Sequence, residues 1–536
     1  LHIGAPAQRN FAGLQGLEGT GAAEEAPLKP CDVLIIGAGP TGLALAIWLA
    51  KQGVTLRIID KTPEPGTTSR ALAVQARTLE LYRQADLAEA VVKAGHRVPA
   101  VNLWVKGERA ARLPFASIGE GMTAYSFLEI FPQDEHERLL IDALGRLGVQ
   151  VERNTELLRY ENRGDAVAAT LRGPDGEERC AAKFIAGCDG ACSAVRETIG
   201  AEFPGGTYRQ VFYVADIEAK GPALDGELHV DLDEADFLAV FPLADEGRAR
   251  LIGTVRDERA DHADTMTFDD VSRRAIDHLK VEVGKVNWFS TYHVHHRVAD
   301  HFRKGRAFLL GDAAHIHSPA GGQGMNTGIG DSINLAWKLA AVLKGAAPDR
   351  LLDTYEIERR AFARRLVATT DRVFNLAVAD GPIADTLRTR LAPAVLPKIM
   401  SSQAVREFAF RTVSQITLNY RHSPLSQGHA GQVRGGDRLP WAPAGGEDNF
   451  DSLKEMAWQV HVYGHAGRAL GDWCAGQGLP LRRYDWRSAH AAAGLVRDAI
   501  YLLRPDTYVA LVDPSGAPEG LARYFADQAI SPGGRS

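Results

Sequence analysis

Three glycines and one aspartate carry the clearest chemistry in this sequence. Gly37, Gly39 and Gly42 stand in the run Gly37-Ala38-Gly39-Pro40-Thr41-Gly42, and Asp60 follows Gly42 by 18 residues. In such a run the first glycine permits a tight turn and the second lets backbone approach a pyrophosphate. The third lets the following helix pack close to the preceding strand. The helix N-terminus then turns its partial positive charge toward the phosphates. An acid about twenty residues further on can accept a hydrogen bond from a ribose hydroxyl. By itself the pattern is equally a plain tight turn. Its setting between a strand and a helix, with the acid closing the next strand, points to a dinucleotide.

A second constellation occupies residues 307–326, AFLLGDAAHIHSPAGGQGMN. Asp312, at the end of an apolar strand, can hold a polyol hydroxyl. The glycines that follow free backbone N–H groups at a helix start, which suits a diffuse negative charge. Reduced flavin carries such a charge on its pyrimidine side and nicotinamide does not. The alternative is a strand–loop–helix connection that uses glycines for turns. The first fingerprint occurs once, so a nicotinamide donor would bind without a Rossmann domain of its own.

Histidines and cysteines invite a metal reading that their spacing does not support. His293 and His295 fall on one face of a strand and His296 on the other, while His315 and His317 lie in the second glycine loop. No two-histidine, one-carboxylate set converges. Cys188 and Cys192 have no second pair to complete a zinc site. No metal is expected. The five scattered cysteines fit a reducing, cytoplasmic compartment.

The elements that must position these residues are readable from periodicity. Asp32 to Ile36 is an apolar strand, a helix follows to about Gln52 with Gly53 as its stop, and Thr55 to Ile59 is a second strand. Lys183 to Ala186 is a further strand ending at Gly187-Cys188-Asp189-Gly190. Between Tyr208 and Val255 several alternating runs separated by turn residues predict an antiparallel sheet. Ala307 to Leu310 is a strand, and a helix runs from the second glycine loop to about Leu343, ended by Gly345. Residues 351–420 are mostly helical in pattern, and 455–536 alternate strand and helix.

The 536 residues exceed one ordinary core. Hydrophobic residues at 45% and charged residues at 24% are globular composition, and a formal net charge of -6 excludes a basic surface for nucleic acid or a polybasic membrane anchor. The most apolar stretch, Val33 to Ala50, is broken by Gly37, Gly39, Pro40 and Gly42, so it does not read as a membrane span. Residues 1–30 read as a loose leader without a signal-peptide core.

Three segments in order resemble the class A flavoprotein monooxygenases, the para-hydroxybenzoate hydroxylase-like group: GAGPTG (Gly37 to Gly42), CDGACSAVRETIG (Cys188 to Gly200) and GRAFLLGDAAHIHSPAGGQGMN (Gly305 to Asn326). The resemblance is strong over about residues 31–375. YRHSPLS (Tyr420 to Ser426) and LLRPDTYVAL (Leu502 to Leu511) resemble the phenol hydroxylase and pentachlorophenol monooxygenase branch, in which a thioredoxin-like domain closes the chain. This C-terminal unit has no C-x-x-C and Cys474 stands alone, so a packing or dimerisation role is expected rather than dithiol chemistry.

The resemblance implies an α/β and α+β fold: a discontinuous Rossmann-like FAD-binding domain, a mixed or antiparallel-sheet substrate domain, and the thioredoxin-like unit. The expected division is a flexible leader (1–30), the FAD-binding domain in three parts (31–98, 133–205, 300–345), substrate-domain parts at 99–132 and 206–299, a helical region (346–430) and the C-terminal unit (431–536). FAD contacts are expected from Gly37, Gly39, Pro40, Thr41, Gly42, Asp60, Lys61, Arg77, Gln133, Asp189, Asp312, Pro319, Gly322, Gly324, Met325 and Asn326. Asp189 is alternatively a helix cap. Arg70 and Arg297 are weaker candidates for nicotinamide phosphate. Tyr213 and Arg250 are the substrate candidates, with a sheet-core tyrosine and a surface arginine as their plainer readings.

The activity so implied is reduction of FAD by NADPH or NADH, then transfer of one oxygen atom from O₂, through a flavin C4a-hydroperoxide, to a phenolic ring. A polycyclic, polyketide-type substrate is the alternative, as is a non-hydroxylating FAD redox protein. The W-x-W-x-I-P segment of flavin halogenases is absent. The expected partners are a small aromatic substrate and O₂, with no nucleic acid, no membrane, and a homodimer left open.

Overall fold

The computed structural model describes residues 29–66, 71–232, 237–255, 265–318, 322–378 and 402–533. Three larger sheets organise them. The first is built around Lys29–Ile36, an apolar strand buried from Val33 onward, as a central parallel strand must be. It pairs in parallel with Gly176–Gly187 on one side and Leu56–Ile59 on the other. Ala307–Leu309 continues the parallel run beyond Gly176–Gly187, and Val151–Glu152 beyond Leu56–Ile59. The first strand begins at Lys29, earlier than expected, because Lys29, Pro30 and Cys31 find register partners in Cys180, Ala181 and Ala182. The leader is otherwise outside the described residues.

Two helices pack side by side against this sheet. Pro40–Lys51 carries proline at its first turn and ends at Gln52, with Gly53 at φ +70°. Gly324–Leu343 is buried over most of its length. Its Ile329, Ile333 and Leu339 join the core of the first sheet, and Trp337 joins the core of the C-terminal unit. Such a helix, buried nearly all round, lies between two layers and must pair the polar side chains it buries.

The second sheet has the order His315–Ile316, Glu282–Val298, Gly205–Lys220, Arg248–Val255, Phe237–Pro242, Leu228–Leu232, Ala100–Val105, Glu108–Pro114. It is antiparallel except for one parallel pair, Leu228–Leu232 with Ala100–Val105, so it is a mixed sheet. Its two faces bury different clusters. One packs on Phe268 and the helix Arg274–His278; the other packs on Leu72, Ala73, Leu128 and Ile130. The latter residues lie in or beside a small sheet of Ala73–Val74, Leu128–Ile130 and His96–Val98, which joins the two larger ones.

The third sheet, in the C-terminal unit, has a core order Leu481–Tyr484, Gln459–Tyr463, Ile500–Leu503, Val509–Asp513. The first two strands are parallel and the other neighbours antiparallel. Helices Arg468–Gly476, Ser488–Ala492 and Pro518–Gln528 connect or follow them. No helix among the described residues is long and apolar enough to cross a membrane.

Candidate active site

Parallel pairing lines up the carboxyl ends of four strands. Ala307–Leu309, Gly176–Gly187, Lys29–Ile36 and Leu56–Ile59 lie in that order and deliver Asp312, Asp189, the glycine loop and Asp60 to one edge of the sheet. The carboxyl edge is where open α/β sheets bind nucleotides. Backbone hydrogen bonds stitch the row together: Gly37 N to Ile59 O at 2.9 Å, Cys188 N to Ile36 O at 2.8 Å and Leu310 N to Gly187 O at 3.0 Å.

The three glycines do different work. Gly37 has φ +99°, and a Cβ there would strike the backbone of Cys188. A Cβ on Gly42 would strike the carbonyl of Gly37. A Cβ on Gly39 would meet nothing within 4 Å, so open space lies over the N-cap of the helix Pro40–Lys51. This is the cradle a pyrophosphate needs: backbone closed on the protein side, and open in front of a helix N-terminus. Asp60 braces the loop by accepting from Ala38 N at 2.7 Å and from Thr62 N at 2.9 Å. Lys61 beside it is exposed. Thr41 faces the neighbouring helix, where Gly311 and Gly328 approach its hydroxyl and Ser332 Oγ donates to its carbonyl at 2.7 Å.

Asp189 realises its plainer reading in part. One carboxylate oxygen caps the helix Ala194–Ile199 through Val195 N at 3.3 Å. The other is buried with no hydrogen-bond partner among the described residues, and burial raises the carboxyl above its usual range. Asp312 is exposed in the turn Gly311–Ala313. Arg196, which the sequence reading missed, ties the two segments together by donating to Ala313 O at 3.0 Å and Ala191 O at 2.6 Å. No periodicity marks such a residue.

The second loop is held from behind. Gly322 has φ +61° and lies against Ala73. Gly324 and Met325 open the helix; Met325 is partly buried against the core. The Asn326 side chain is fully engaged: it accepts from Gln75 N at 2.9 Å and Thr78 Oγ1 at 2.7 Å, and donates to Ala73 O and Gly322 O at 2.8 Å each. It shapes the loop and has no hydrogen bond left to give a flavin. His317 Nδ1 sits 3.0 Å from Ser318 O. A carbonyl can only accept, so that nitrogen carries the proton and Nε2, buried and without a partner among the described residues, presents a lone pair. Burial pushes this imidazole down to about 4, so it is neutral at physiological pH.

The remaining expected contacts, where described, take protein partners of their own. Arg77 is buried, pairs with Glu80 at 3.2 Å and donates to Thr507 Oγ1 at 2.7 Å, which links it to the C-terminal unit. Gln133 starts the helix Gln133–Arg146 and donates to Glu137 at 2.8 Å. Arg297 donates to Phe203 O at 3.1 Å. Arg70 and Pro319 lie outside the described residues.

The substrate candidates separate by strand alternation. Tyr213 stacks on Phe289 and belongs to the cluster under Phe268, on the face turned away from the flavin loop. The sheet-core reading therefore describes Tyr213. Arg250 lies opposite Asp216 in register and pairs with it through both oxygens, at 2.6 and 2.8 Å. It is buried, not a surface arginine, with its guanidinium 5.7 Å from the Trp288 ring centre. Phe212, Trp288 and Tyr292 share its face, and Phe237 and Phe241 join them in the same cluster. Leu72 and Ala73, against which Gly322 packs, belong to that cluster too. This aromatic wall is on the face whose cluster, through Ala73, adjoins the second glycine loop. Among the described residues no group of three or more His, Cys, Asp or Glu side chains is placed to hold a metal.

Residues 30–370 match the family described as FAD binding domain. The chain is a class A FAD-dependent aromatic monooxygenase. It is 37% identical over 410 residues to 6-methylpretetramide 4-monooxygenase of Streptomyces rimosus, covering 74% of this chain and 71% of that one. It is 31% identical over 424 residues to pentachlorophenol 4-monooxygenase of Sphingobium chlorophenolicum, covering 76% and 75%. Among solved structures, the anhydrotetracycline hydroxylase OxyS of Streptomyces rimosus is similar with a TM-score of 0.75 and 28% identity, over 95% of this chain and 100% of that one. The cradle of this monooxygenase suits the cofactor its family binds. Gly37 to Gly42 would face the pyrophosphate, Asp60 the adenosine ribose, Asp312 the ribityl chain and Gly322 to Met325 the flavin ring.

Proposed function

We propose that this monooxygenase hydroxylates a phenolic ring of a polycyclic, polyketide-type aromatic, taking electrons from NADPH or NADH. The observation that carries the reading is the wall of Phe212, Phe237, Phe241, Trp288 and Tyr292 beside the flavin loop. Five aromatic side chains on one sheet face offer stacking area beyond what a single ring covers. The names of the tetracycline-type relatives support the same substrate class.

Bound FAD supplies the electron and oxygen chemistry. The protein's own contribution is placement and exclusion of water. The aromatic wall holds the ring plane, and the neutral His317 accepts a hydrogen bond without bringing a charge to the loop. The Arg250–Asp216 pair stiffens the wall behind Trp288. The nicotinamide needs no second glycine fingerprint. The strand order and directions of the C-terminal unit support a thioredoxin-like fold, and its single Cys474 leaves it without a dithiol. The membership of the first two sheets supports the division of the chain into a three-part FAD domain and a two-part substrate domain, with His315–Ile316 of the third FAD part pairing into the second sheet.

The test is NADPH and NADH oxidation by the FAD-loaded protein across monocyclic phenols and three- and four-ring phenols, with peroxide and product measured together. Polycyclic phenols are expected to accelerate oxidation with product matching cofactor consumed. Coupled turnover confined to monocyclic phenols would move the substrate to the class acted on by the pentachlorophenol relative.

A further inference from the structure

Two clusters of buried charge lie between the helix Gly324–Leu343, the flavin-holding helix of the proposed site, and the helix Asp353–Val378; the second extends into the C-terminal unit. In the first, Asp331 accepts from Gly311 N at 3.0 Å and Arg359 Nε at 2.6 Å, with His315 Nε2 at 2.7 Å. Arg359 also donates to Thr327 O at 2.9 Å and to the Tyr420 hydroxyl at 2.8 Å. In the second, Glu358 accepts from Asn334 at 2.7 Å, Lys338 at 2.8 Å and Ser423 at 2.6 Å. Arg504 closes it, donating to both Glu358 oxygens at 2.7 and 2.9 Å while gripping Asp506 at 2.9 and 2.6 Å. Asp331, Glu358, Arg359, Lys338 and Arg504 are each 0–2% exposed.

The clusters are joined twice. Glu358 and Arg359 are adjacent on the helix Asp353–Val378. The Arg504 guanidinium also lies 5.3 Å from the ring centres of both Tyr420 and Trp337. The first cluster ends on the cofactor side, at Gly311, which precedes Asp312, and at Thr327, in the first turn of the helix Gly324–Leu343; the second meets the same helix farther along, at Asn334 and Lys338. A small cavity of about 10 Å³, room for roughly one water, lies among Arg77, Ile333, Arg359, Leu418, Tyr420 and Asp506. Well-packed apolar residues would stabilise such an interface at least as well as buried ion pairs. What planar, bidentate arginines add is fixed geometry.

We propose that Arg504, in the C-terminal unit, and Tyr420, in the segment leading into it, are positioning residues that together set the geometry of the flavin-binding loop. Arg504 fixes Glu358 and with it Asn334 and Lys338. Tyr420 fixes Arg359 and with it Asp331, Gly311 and Thr327. The C-terminal unit is then part of the cofactor site although it offers no side chain to the glycine cradle. The inference is independent of the substrate.

The test compares Arg504→Lys and Tyr420→Phe with Leu495→Ala, a core truncation elsewhere in the C-terminal unit, in the full chain. Melting temperature, the FAD dissociation constant of the apoprotein, and the visible spectrum and midpoint potential of bound flavin are measured for each. Arg504→Lys and Tyr420→Phe are expected to weaken FAD binding about two- to thirty-fold and to move spectrum and potential. Leu495→Ala is expected to lower melting without moving the flavin signals. Should Arg504→Lys fail to fold, Tyr420→Phe, which removes a single hydroxyl, decides. Wild-type FAD affinity, spectrum and potential in folded Tyr420→Phe would overturn the proposal, as would equal flavin shifts in Leu495→Ala.

Discussion

Phe212 and Tyr213 are neighbours in the chain and belong to opposite worlds in the fold. Phe212 faces Tyr292 on the wall beside the flavin loop, and Tyr213 stacks on Phe289 in the cluster behind it. The alternation of a strand makes this separation absolute: no adjustment short of a register slip would exchange them.

Tyr213→Phe is therefore expected to leave kcat/KM within about twofold, whereas Trp288→Ala, on the flavin side, should lower it at least tenfold, about 1.4 kcal/mol of transition-state binding. Steady-state turnover with product quantification checks both. A large loss in Tyr213→Phe with the wild-type melting temperature would contradict the assignment of faces.

The glycine loop separates folding from binding. Gly42→Ala forces a Cβ into the Gly37 carbonyl, so the apoprotein is expected to melt several degrees lower. Gly39 has φ -75° and open space, so Gly39→Ala should cost the apoprotein less than about 0.5 kcal/mol. Its effect should fall on FAD affinity instead. Melting with and without FAD distinguishes the two.

Arg250→Met leaves Asp216 without its two charged hydrogen bonds. About 3 kcal/mol of unfolding free energy should be lost, as when one partner of a buried pair is removed. A double variant that also replaces Asp216 with Leu should recover most of that loss. Urea denaturation of the four proteins of this cycle is the measurement, and additive losses would show that the pair is not coupled.

Glu129 gives a pH signature. It is fully buried in the small joining sheet, and neither carboxylate oxygen has a hydrogen-bond partner among the described residues. Burial raises its carboxyl to about 8, against only a weak opposing effect of Arg97. The folded state holds a proton that the unfolded chain releases near pH 4.5, so stability falls as pH rises from about 4.5 to 8. Glu129→Gln should therefore stabilise the protein little at pH 4.5 and by up to a few kcal/mol near pH 8. A stability difference between variant and wild type that is flat across this range would rule the buried acid out as its source.

Much of the cofactor site was legible in the chain because its determinants are local. The glycine turn, the strand before it and the helix after it lie within a short run, and Asp60 needs only one further strand to reach the same edge. Arg77 and Asn326 stood out in the sequence, but not for the protein partners their side chains take. Both lie in motif segments near the flavin loop, but Arg77 bonds residues 430 positions away and Asn326 bonds backbone some 250 positions away. Neither distance leaves a trace in periodicity. Arg196, Asp331 and Arg504 were missed for the same reason.

The sequence alone determined which segments are strand or helix, where the glycines must turn, and that an acid closes each of several strands. These follow from backbone sterics and from side-chain periods of 2 and 3.6. Only the tertiary structure decided which face of the second sheet adjoins the flavin loop. It also decided that Arg250 meets Asp216, and that Arg504 and Tyr420 meet neighbouring residues, Glu358 and Arg359, of the helix Asp353–Val378. Period 2 says which residues share a face but not which face is covered by what. A buried charge says that it needs a partner but not where in the sequence that partner lies.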